Sequence, residues 1–170
     1  MSILDDIAAL AREAGQLVLS AWDVWAHTHE KTSAADLVTE YDEAVEAFLK
    51  DRLPKLLPGS LFFGEEETEN CDRGIPQSAI SIALARDGQV QHGVVYDPFK
   101  DELFSASRGG GAFLNGNPIH VSTLPLSQGI FGMGTAIYKR EYIGPTMRLT
   151  EQLMHRSCDF RRLGAAALDL

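Results

Sequence analysis

The run Ser78-Ala79-Ile80-Ser81-Ile82-Ala83-Leu84-Ala85-Arg86, then Asp87-Gly88, then Gln89-Val90-Gln91-His92-Gly93-Val94-Val95-Tyr96 decides the fold. Ile80, Ile82 and Leu84 alternate with small or polar residues, the period of a strand that buries one face. Asp-Gly between two such runs favours a type I′ turn, because both central residues take positive φ. The stretch therefore predicts an antiparallel hairpin.

Toward the C-terminus the same period continues. Glu102-Leu103-Phe104-Ser105-Ala106 and a short run at Ala112-Phe113-Leu114 read as further strands, and Asn115-Gly116 turns the chain into Pro118-Ile119-His120-Val121-Ser122. Consecutive short strands with tight turns make an antiparallel meander. Arg108-Gly109-Gly110-Gly111 lacks the GK[ST] ending of a phosphate loop and precedes a strand, so it is a hairpin connection. His92 falls within the alternation and needs no chemistry. A strand near 129–134, a helix over about 145–155 and a strand at 159–163 bring the chain to Gly164-Ala165-Ala166-Ala167-Leu168-Asp169-Leu170, the opening of a closely packed helix.

Toward the N-terminus the period becomes helical. Ile3, Leu4, Ile7, Leu10, Ala14, Val18 and Trp22 predict an amphipathic helix over residues 3 to about 24, with Ser2 and Asp5 as a weak capping box. Trp22 and Trp25 read as packing residues at its end. His27 and His29 fall in a polar loop with no correctly spaced partner, which argues against metal ligation. Lys31-Thr32-Ser33-Ala34-Ala35-Asp36-Leu37-Val38-Thr39-Glu40-Tyr41-Asp42 follows, and its polar and small residues read as a continuation of the loop up to the next helix. Thr39 can cap a second helix with Asp42 at the capping-box position, and that helix is expected to end before Pro54.

Between helix and hairpin lies Leu61-Phe62-Phe63-Gly64-Glu65-Glu66-Glu67. The apolar run reads as a buried strand ending at a glycine, where the backbone turns and three carboxylates follow. Adjacent carboxylates repel unless a cation or proton neutralises them. A hard divalent cation such as Mg²⁺ suits oxygen ligands of this kind, and a solvated acidic loop is the plainer alternative.

Composition limits the function classes. The chain has 170 residues, 45% hydrophobic and 23% charged, and a net charge of -9. That balance argues against nucleic acid or an anionic membrane as the main partner. Two cysteines without CxxC spacing indicate neither a disulfide framework nor a zinc knuckle, and a reducing cytoplasm fits. We expect no signal peptide and no membrane helix.

Several ordered motifs together resemble the inositol monophosphatase family. They are Asp36-Leu37-Val38-Thr39-Glu40-Tyr41-Asp42, Phe63-Gly64-Glu65-Glu66, Gly93-Val94-Val95-Tyr96-Asp97-Pro98 with Asp101-Glu102-Leu103-Phe104, the Gly109–Gly116 stretch and Arg161-Arg162-Leu163-Gly164 through Leu170. The resemblance implies a layered α+β sandwich whose antiparallel sheet is flanked by helices. It also implies Mg²⁺-dependent hydrolysis of a small phosphate monoester, such as an inositol, polyol or sugar phosphate, in a cytoplasmic homodimer.

Residue by residue, Glu65 matches the family's metal-bridging glutamate, which also orients the attacking water, and Glu66 is its neighbour in the same catalytic motif. Asp42 matches an aspartate that approaches the metal, and Gly164, Ala165 and Ala166 match the segment lining the substrate side. One departure is internal. The family carries a longer loop and a strand ending in Asp-Pro-x-Asp-Gly-Thr, which supplies two metal-binding aspartates, whereas here Thr68-Glu69-Asn70-Cys71-Asp72-Arg73 leads directly to Gly74. Asp72 is either a remnant of that motif or a loop residue. The resemblance thus implies one domain over residues 1–170, with an internal gap between 67 and 74 and the family's C-terminal Trp-Asp part missing. A catalytically silent binding or scaffold protein is the competing reading.

Overall fold

The structure, a computed structural model, describes residues 2–20, 28–30, 37–64, 77–134, 139–162 and 164–169, with the backbone alone for 28–30 and 37–42. Two compact units emerge, residues 1–120 and 121–170.

The first unit is built on the expected hairpin. Strand β3 (Ile80–Arg86) pairs antiparallel with β4 (Gln89–Asp97), and β5 (Glu102–Ser107), β6 (Gly111–Leu114) and β7 (Asn117–Ile119) follow in order as a five-stranded meander. Asp87 and Gly88 have φ of 52° and 71°, and Asn115 and Gly116 have 48° and 80°, as type I′ turns require. The register shifts between Leu84 and Ala85, where Gln91 is the extra residue of β4. The Gln91 carbonyl accepts from the Arg108 N–H at 2.8 Å, within the glycine-rich connection. His92 meets Ser107 across the strands, its Nδ1 2.8 Å from the hydroxyl oxygen.

Helix α1 (Ile3–Ser20) lies against this sheet. Its capping box forms as expected: the Ser2 N–H donates to Asp5 Oδ2 at 2.8 Å, and the Asp5 N–H donates to Ser2 Oγ at 3.3 Å. Ile7, Ala11, Ala14 and Val18 enter one core with Ile80, Ile82, Val94, Tyr96 and Leu103 of the strands. Each large apolar side chain buried there contributes about 1.5–3 kcal/mol. The core is therefore one helix layer on one sheet face, the α+β layering expected from the sequence.

Three local expectations are corrected. Residues 28–30 and 37–39 are not loop but strands β1 (Thr28–Glu30) and β2 (Leu37–Thr39), an antiparallel ribbon in which His29 faces Val38. Pairing between short strands leaves little periodicity to read. Helix α2 (Glu40–Leu56) runs past Pro54 instead of ending before it. Pro54 lies in the last turn, where the missing N–H costs one bond, and the Leu57 N–H still reaches the Leu53 carbonyl at 3.2 Å. Leu61–Gly64 is not a buried strand: it pairs with no strand among the described residues, and Leu61 and Phe63 are 83% and 89% exposed.

At the corner after β4 a buried carboxylate organises the turn. Asp97 Oδ1 accepts the backbone N–H groups of Phe99 and Lys100 at 2.9 and 3.2 Å, and Oδ2 accepts Lys100 Nζ at 2.8 Å. Asp97 is fully buried, and these bonds satisfy it.

In the second unit, β8 (Ile130–Gly132) runs parallel to β9 (Asp159–Arg161), with helix α3 (Ile143–Met154) between them in sequence and the short α4 (Ala166–Asp169) after them. Phe131 and Phe160 stack across the strand pair at 5.8 Å. Among the described residues no helix is long and apolar enough to cross a membrane.

Candidate active site

Asp42 is the third residue of α2, directly after Thr39 ends β2. A carboxylate in a first helical turn is favoured by the helix dipole, so the local sequence and the position agree. Only its backbone is described, and Glu65 and Glu66 lie outside the described residues. The described chain on that side ends at Gly64, beside the carboxylate of Glu46 in α2. A Cβ on Gly64 would stand 2.7 Å from Glu46 Oε1, the end of a flexible side chain, so the Glu46 carboxylate reaches the Gly64 backbone. Glu46 follows Asp42 by one helical turn.

Gly164, Ala165 and Ala166 belong to the second unit. Gly164 has φ of 97°, the left-handed region that favours glycine, and its N–H donates to Asp169 Oδ2 at 3.3 Å. Ala165 is buried, its carbonyl accepts from Leu168 and Asp169 at 2.9 and 3.0 Å, and Ala166 opens α4. The small residues thus form a tight backbone turn. A Cβ at Gly132 would stand 2.6 Å from the Asp169 carbonyl oxygen, so α4 packs directly on β8.

For a metal, the expected donors are the carboxylates of Glu65 and Asp42, hard oxygen ligands of the kind that hold divalent cations. Among the described residues no group of three or more His, Cys, Asp or Glu side chains is placed to hold one.

The chain matches the inositol monophosphatase family over residues 2–73 and 68–170. It is similar to the Nus factor SuhB of Escherichia coli, 33% identical over 181 residues that cover 94% of this chain and 68% of the relative. It is 35% identical over 156 residues to the inositol-1-monophosphatase of Rhizobium meliloti, covering 80% of this chain and 59% of that protein. Among solved structures, the extragenic suppressor protein suhB of Bartonella henselae superposes with a TM-score of 0.87 at 28% identity, covering 99% of this chain and 73% of the other. An IMPase of Thermotoga maritima gives 0.82 at 29%, covering 99% and 71%. The chain thus spans between 59% and 73% of the length of these relatives.

Proposed function

Because this chain belongs to the inositol monophosphatase family, we propose that the protein hydrolyses a small phosphate monoester, an inositol phosphate or a related polyol or sugar phosphate, with Mg²⁺ as its cofactor. The observation that carries this reading is the family match along both parts of the chain. The metal is assigned to Glu65 and Asp42. Mg²⁺ bound there supplies a Lewis acid and a bound water of lowered pKa. Glu65 also orients the attacking water, Glu66 supports it from the adjacent position, and Gly164, Ala165 and Ala166 line the substrate side with backbone unobstructed by large side chains.

The same reading extends to a cytoplasmic homodimer whose partner is a small phosphorylated molecule and not nucleic acid or membrane. The net charge of -9 supports the last point. It further treats residues 1–170 as one family domain with a segment missing between 67 and 74.

A second reading, a catalytically silent binding or scaffold protein, has one specific observation in its favour. The sequence Asp-Pro-x-Asp-Gly-Thr occurs nowhere in this chain, so two of the expected aspartate ligands are absent from it. Phosphate release from inositol 1-phosphate in the presence of Mg²⁺, wild type against Glu65→Gln, decides between the two. A loss on the order of 100-fold or more in the variant supports the phosphatase. Absence of release from the wild type supports the scaffold.

A further inference from the structure

Glu46 stands four residues after Asp42 in α2, so the two positions share one face of the helix, about 6 Å apart along its axis. Leu49 is buried in the core, and Val45 and Leu53 pack against it. The helix is thereby anchored, and a side chain on it keeps a defined place. Of the α2 carboxylates whose side chains are described, Glu43 and Asp51 are exposed and Glu46 alone is half-buried.

The Glu46 carboxylate does not take the partner its own helix offers. A Glu with a Lys four residues on is the favoured order for a helical ion pair. Asp51 and Lys55 close a pair of that spacing at 2.6 Å, whereas Glu46, with Lys50 in the same relation, makes no ion pair among the described residues. Its Oε1 is turned instead to the end of the described chain, 2.7 Å from where a Cβ of Gly64 would stand, and the Phe62 ring edge is equally close to that point.

A carboxylate accepts hydrogen bonds and donates none, and when half-buried it is costly unless a cation or a donor meets it. The three residues that follow Gly64 are Glu65, Glu66 and Glu67, which add negative charge and no counter-charge. A divalent cation relieves all of these carboxylates together. The contact also joins the two proposed ligands. Asp42 lies one turn from Glu46 on the same helix, and Glu65 directly follows Gly64, so the Glu46–Gly64 approach sets how near the two backbones come.

We propose that Glu46 is a positioning residue of the metal site. It seats the start of the Glu65 segment against the helix that carries Asp42, and its charge strengthens Mg²⁺ binding without being a ligand. Glu46 lies outside every motif on which the family resemblance rests. The inference rests on the Mg²⁺ reading of the site given above.

The test is a Mg²⁺ titration of the full chain by calorimetry, beside the Mg²⁺ dependence of phosphate release from inositol 1-phosphate. Glu46→Gln keeps the shape and removes the charge. Its Mg²⁺ dissociation constant should rise about tenfold or more, the usual loss for a residue that supports a ligand from outside. Release should fall at limiting Mg²⁺ and recover as Mg²⁺ is raised, with the metal-free urea midpoint unchanged. Gly64→Ala, which displaces the carboxylate, should weaken Mg²⁺ binding too, and the double variant should lose less than the two single losses combined. Glu43→Gln, at an exposed position of the same helix, should bind Mg²⁺ as the wild type does. Unchanged affinity in Glu46→Gln, from a wild type that binds Mg²⁺, would overturn the inference and leave the phosphatase reading standing. An equal loss in Glu43→Gln would overturn it as well, since any nearby charge would then serve, and so would a lowered metal-free urea midpoint without a change in Mg²⁺ affinity. A wild type that takes up no Mg²⁺ would overturn both the inference and the reading beneath it.

Discussion

The ring of Tyr96 fills the space that a side chain on Gly15 would need. A Cβ at residue 15 would stand 2.5 Å from Tyr96 Cε1, 2.9 Å from Cδ1 and 3.1 Å from Pro98 Cβ. Helix α1 therefore meets β4 at backbone distance, and the glycine, a poor helix residue, is retained for packing. Tyr96 is 3% exposed and cannot swing into solvent. Gly15→Ala should gain about 1 kcal/mol of helix propensity and lose about 1–3 kcal/mol to overpacking. We expect net destabilisation, read as a lower urea midpoint with unchanged slope.

The same ring makes stability fall at alkaline pH. Burial holds the Tyr96 phenol above its usual range, and the hydrogen bond it donates to Asp101 at 2.9 Å, with that carboxylate's charge, acts in the same direction. The Arg12 guanidinium, 5.9 Å from the ring centre, opposes them. A folded-state pKa above the unfolded value of about 10 favours the fold fully below that pH. The stabilisation is lost as pH rises through the folded value. Tyr96→Phe should flatten the alkaline decline in the unfolding midpoint, at a cost of about 0.5–1.5 kcal/mol near neutrality for the lost hydrogen bond. A decline of undiminished slope in the variant would contradict this.

Asp97 gives a graded pair of variants. Asp97→Ala removes the acceptor of two backbone N–H groups in a buried turn, and should cost about 2–4 kcal/mol. Asp97→Asn keeps an Oδ1 for both amides and loses only the ion pair to Lys100, whose side chain is 49% exposed. Its cost should be about 1 kcal/mol or less. Equal losses in chemical denaturation would mean that the ion pair, not the turn, is what Asp97 supplies.

How much of this was legible in the sequence depended on how local the cause was. Asp87-Gly88 and Asn115-Gly116 each specify a turn by themselves, and the period of two around Ile80, Ile82 and Leu84 specifies a buried face, so the meander could be read directly. The Leu61-Phe62-Phe63 run could not. Its composition is that of a buried strand, but burial needs a neighbour, and Phe63 is left 89% exposed. The β1–β2 ribbon, with Thr28 opposite Thr39, is set by a pairing between strands too short to show alternation. Gly64 and Glu46 met through tertiary approach, which no spacing along the chain records. The proposed site residues, Glu65, Glu66, Asp42 and Gly164 to Ala166, rest on family motifs. Chemistry alone left Glu65-Glu66-Glu67 open between a metal site and a solvated loop.

Glu65→Gln removes one ligand charge at nearly constant shape. It should leave the circular dichroism spectrum and urea midpoint unchanged while cutting Mg²⁺-dependent turnover on the order of 100-fold or more. A fall in both turnover and stability would instead make Glu65 a structural residue.

The most direct test is phosphate release from inositol 1-phosphate by the protein as expressed, measured with Mg²⁺ and again after a chelator. The account predicts release that saturates with Mg²⁺, stops on chelation and returns when Mg²⁺ is restored. Release indifferent to the chelator, or none at any Mg²⁺ concentration, would contradict it.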